Sequence, residues 1–135
     1  MAGSNLPPTP EAEYRLRLTT WAAMLFSIVT YFILAKALHP TVANANPLLV
    51  RALMFVAVTT VAASFPLKNF FFNRARQSNN ASLLRTGELI AFTLCEMAAL
   101  FGLVVWFVAA APQYYWFLIL GAAGQLLHWP KREAE

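Results

Sequence analysis

The sequence has no aspartate, a single cysteine and few charges of either sign. Charged residues fill 12% of its 135 positions and hydrophobic ones 59%. Soluble domains average about 25% charged and about 45–50% apolar. These figures exclude an ordinary water-soluble domain and imply an integral membrane protein of one domain. The lone Cys95 excludes an internal disulfide. It lies in an apolar run, so a packed side chain is expected rather than a reactive thiol. The opening MAGSNLPPTPEAEY has neither a basic region nor an apolar core, and no secretory signal is expected there. A Rossmann fingerprint, a phosphate loop, a metal-ligand cluster and a catalytic triad are all missing. No catalytic residue, metal or cofactor is therefore expected, and the protein is not expected to be an enzyme.

What the chain does have is four apolar runs. Leu18–Leu38, Leu48–Phe65 and Leu83–Ala111 are each near or above the roughly 20 residues that cross a bilayer. Tyr114–His128 is shorter and carries aromatics at both ends, as membrane boundaries do. Thr9-Pro10-Glu11 reads as a helix start, with a capping hydroxyl, a proline at the first helical position and an acid facing the dipole. Pro66 should kink or end the second helix, with LKNFFFNRAR continuing along the interface, and QSNNAS should turn the chain. The expected organisation is a flexible tail at 1–9, a transmembrane domain at 10–129 and a basic, polar tail at 130–135.

The charges set an orientation. Arg15, Arg17, Lys68, Arg74, Arg76, Arg85, Lys131 and Arg132 all fall on one side if four helices alternate. The positive-inside rule then puts both termini in the cytoplasm. Because the basic residues stand beside apolar runs, they suit a membrane, and nucleic acid is not an expected partner. The expected fold is an all-α, antiparallel four-transmembrane-helix bundle with short loops.

One acid breaks the pattern. Glu96 stands inside ELIAFTLCEMAALFGLVVW, about 12 Å deeper than the boundary residue Glu88, which should be solvated. An acid in hydrocarbon is costly and marks a functional site with a partner. Thr59, Thr60, Ser64 and Gln125 are the expected hydrogen-bonding groups around it, forming an ion- or proton-binding site. Ala91, Cys95, Ala98 and Gly102 recur at spacings of four, three and four and form a small-residue seam, and Gly121 and Gly124 permit a second close approach. The competing reading is that Glu96 only fixes helix packing in a structural or assembly subunit.

The stretch Arg76–Val105 resembles the c subunit, or proteolipid, of rotary ATP synthases. It has Arg76-Gln77 where that family has a polar-loop Arg-Gln, a matching basic Arg85, and Gly102-Leu103-Val104-Val105 at the family's distance after the acid. The resemblance implies that Glu96 carries a proton or cation. A weaker similarity, in size, topology and a third-helix acid, is to the ATP synthase accessory protein I. On this reading the chain is a proton- or cation-handling or accessory subunit of a bioenergetic complex in a bacterial inner membrane. It would have the lipid bilayer and partner subunits, or further copies of itself, as its surroundings.

Overall fold

A computed structural model describes residues 9–40 and 46–132. The expected tail at 1–9 and the last three positions of the tail at 130–135 therefore lie almost wholly outside the described residues. The described residues form four helices in order: α1 Pro10–Ala37, α2 Pro47–Ser78, α3 Ala81–Ala109 and α4 Tyr114–Leu127. The protein is an all-α membrane protein. Among the described residues three helices are long and apolar enough to cross a bilayer. With 14 residues, α4 is about 21 Å long, short of a hydrocarbon core of about 30 Å.

Local chemistry accounts for the helix ends. Thr9 accepts a hydrogen bond from the Ala12 N–H, and Pro10 begins α1 without wasting a donor. Asn46 caps α2 in the same way, ahead of Pro47. The α2–α3 turn uses two asparagines. Asn79 takes the left-handed conformation, and Asn80 accepts from the Ser82 N–H. Pro66 does not end its helix, since α2 continues through it to Ser78. The missing N–H forfeits one backbone bond, to Ala62, while the turns on either side keep theirs. At 32 residues α2 is about 48 Å long and outreaches the hydrocarbon.

The centre of the bundle is α3, which packs on all three other helices. Among the described residues α1 packs on α3 and α4 but not on α2, so α1 and α2 flank the α3–α4 pair on opposite sides. Ala57 and Val61 of α2 meet Cys95, Ala98 and Val105 of α3 and Phe117 of α4 in one buried cluster. Ile28 and Ala35 of α1 meet Ala99 of α3 and Leu118 of α4 in another. Outside these clusters the surface is oily: Phe26 is 71% exposed and Phe55 73%. So much bare aromatic surface requires lipid or a protein partner around it.

Candidate functional site

The polar groups inside the bundle divide between two levels. At the end where α1 and α3 begin and α2 and α4 finish, Arg17 of α1 meets Glu88 of α3. Arg17 Nε donates to Oε2 at 2.6 Å and Nη2 to Oε1 at 2.5 Å, and both residues are buried. Glu88 is thus paired inside the bundle, not solvated at a boundary. The guanidinium fork matches the carboxylate geometry, and the low local dielectric strengthens the pair. Nearby, the Trp21 indole N–H donates to the Gln125 backbone carbonyl at 2.7 Å. The Ser64 hydroxyl and His128 Nε2 share a hydrogen bond of 2.7 Å. Ser64 also donates to the Val61 carbonyl. His128 follows the last turn of α4 and is buried against Phe65 and Ser64.

The second level holds Glu96. The Tyr31 hydroxyl of α1 donates to Glu96 Oε1 at 2.5 Å, and both side chains are half-buried. None of the four groups expected around Glu96 contacts it. Thr59 and Thr60 donate to carbonyls of their own helix, at Phe55 and Val56. Ser64 belongs to His128, and Gln125 Nε2 reaches the Trp21 carbonyl at 3.4 Å. Two causes keep them apart. Thr59, Thr60 and Ser64 belong to α2, which packs on α3 but not on α1. Gln125 of α4 does reach α1, but at Trp21, nearer the basic end. Tyr31 is fourteen residues past Arg17 (31 − 17), and Glu96 only eight past Glu88 (96 − 88). A long phenol leaning toward its helix N-terminus spans that difference.

The small residues lie elsewhere on α3. Ala91, Cys95, Ala98 and Gly102 are all buried; Cys95 and Ala98 pack in the cluster with α2 and α4, and Gly102 faces α4. A Cβ added at Gly102 would sit 2.8 Å from Phe117 Cβ, and one at Gly121 would sit 2.7 Å from the Cys95 carbonyl. Gly124 lies against Cys95 Sγ and Val61. These residues bring α3 and α4 into near contact within one chain. The Arg17–Glu88 pair went unseen in the sequence, although one signal was available. Opposite charges stood at the same end of two helices that run parallel.

The family model described as transmembrane adaptor Erv26 matches residues 17–133. No curated protein matches the chain, and no solved structure does. The family match overturns the resemblance to the ATP synthase c subunit and to accessory protein I. It spans nearly the whole chain, whereas Arg76–Val105 is under a quarter of it. Apolar helices draw on the same Ala, Leu, Val and Gly, so a short run can coincide without kinship. Gly102, the heart of that coincidence, packs on α4 of its own chain. The proteolipid-like and proton-transport readings lose their support with it, as does a bacterial inner membrane.

Proposed function

The chain belongs to the Erv26 family of transmembrane adaptors, and from that premise we infer that it is a non-enzymatic adaptor holding a membrane-embedded partner against the α1–α3 side of its bundle. The observation that carries this reading is the Glu96 carboxyl. Its one hydrogen bond to a described residue comes from Tyr31, leaving the other oxygen without a donor at a half-exposed position. Exposed beside it on α3 are Thr93 and Leu100, one turn to either side. A polar or cationic residue in a partner's spanning helix would satisfy the free oxygen, which lipid cannot do. Residues 10–129 form the transmembrane domain, and the basic end of the bundle faces the cytoplasm.

A photo-crosslinking residue placed at Leu100 tests this, with Phe55 on α2 as the control position. Crosslinks from Leu100 to the spanning segment of another membrane protein are expected, and Glu96→Gln should weaken them. Crosslinks to lipid alone, or indifferent to Glu96, would count against the reading. The Tyr31–Glu96 bond itself favours a second reading, in which Glu96 only holds α1 to α3. Glu96→Gln would then lower stability and leave partner binding unchanged.

A further inference from the structure

The basic end of the bundle encloses a cavity of about 690 Å³ between α2 and the C-terminal end of α4. Among the described residues its wall carries five cations, Arg17, Lys68, Arg76, Lys131 and Arg132, against the one carboxylate of Glu88. Arg17 already occupies both Glu88 oxygens. Arg132 is 4.0 Å from Glu11. Lys68, Arg76 and Lys131 form no salt bridge with any described residue. A concave wall with this excess of positive charge is a receptor for an anion bearing more than one negative charge.

The geometry points to the headgroup of an anionic phospholipid as the occupant of this cavity. Three observations select a lipid. The cavity lies at the end of the apolar spans, where headgroups lie. Trp129, a residue type that favours that level, forms part of its wall and is 48% exposed. The wall also runs onto bare apolar surface through Leu127, which is 72% exposed, so acyl chains could descend beside α4 while the phosphate meets the lysines. Basic pockets between helix ends are suited to such headgroups, with each nearby cation strengthening binding roughly fivefold. This site is separate from the partner-binding face at Glu96, and neither depends on the other.

The experiment uses the full chain in neutral phosphatidylcholine vesicles containing brominated lipid, which quenches nearby tryptophan. The difference between the chain and its Trp129→Phe variant isolates the Trp129 signal. Brominated phosphatidic acid should quench Trp129 at a lower mole fraction than brominated phosphatidylcholine. Lys68→Gln and Lys131→Gln should each raise the half-quenching mole fraction by about fivefold. Lys131 is exposed beyond α4, so Lys131→Glu retains a folded protein if Lys68→Gln does not, and it should weaken binding further. Equal quenching by the two lipids overturns the proposal. Displacement by millimolar inorganic phosphate would mark a free-anion site and overturn it too. Displacement by a polyglutamate peptide, without any preference for brominated phosphatidic acid, would assign the cavity to an acidic protein segment instead.

Discussion

Arg17 and Glu88 stand 71 residues apart in the chain, yet form a two-pronged buried ion pair that ties the start of α1 to the start of α3. Neither charge could stay inside the bundle alone. The pair therefore fixes the register of two parallel helices.

Removing one partner should be far worse than removing both. Arg17→Ala or Glu88→Ala leaves an uncompensated buried charge and should destabilise the fold by about 3–5 kcal/mol. An Arg17→Leu/Glu88→Leu double variant should recover most of that loss. Reversible denaturation in mixed micelles would measure both, and equal losses in the single and double variants would contradict the pairing.

Gly121 is a contact point between α4 and α3. A Cβ there meets the Cys95 carbonyl at 2.7 Å and Ala99 Cβ at 2.9 Å, and neither neighbour is a flexible side-chain end. Gly121→Ala should cost about 1–3 kcal/mol through overpacking. Gly121→Leu should separate the helices altogether, visible as loss of resistance to SDS. Retained resistance in the leucine variant would refute this packing.

Cys95 is fully buried between α2, α3 and α4. Its thiol should resist maleimide in the folded protein and react once the bundle opens. Labelling rates followed by mass spectrometry would then track unfolding. Rapid labelling under native conditions would show that the α3–α4 contact is looser than described.

The polar interior was the least legible part of the chain. Glu96 stood out by composition, yet its partner did not. Tyr31 reads as one more aromatic in an apolar run, while Thr59 and Thr60 look like better candidates and spend their hydroxyls on their own helix. Glu88 and Arg17 both read as boundary residues because each stands near the end of an apolar stretch. Only their approach across the bundle shows them buried.

The amino-acid sequence by itself determined that this is a helical membrane protein. It also determined where the helices start and turn, through Thr9-Pro10, Asn46-Pro47 and Asn79-Asn80. It set the depth of each residue too, because rise along a helix is about 1.5 Å per residue whatever surrounds it. Only the tertiary structure decided which way each residue faces. In a soluble helix a polar side marks the outward direction, but a helix bathed in lipid is apolar all round, and its sequence carries little record of rotation about its own axis. That rotation assigned Glu96 to Tyr31, Glu88 to Arg17 and the small residues to α4.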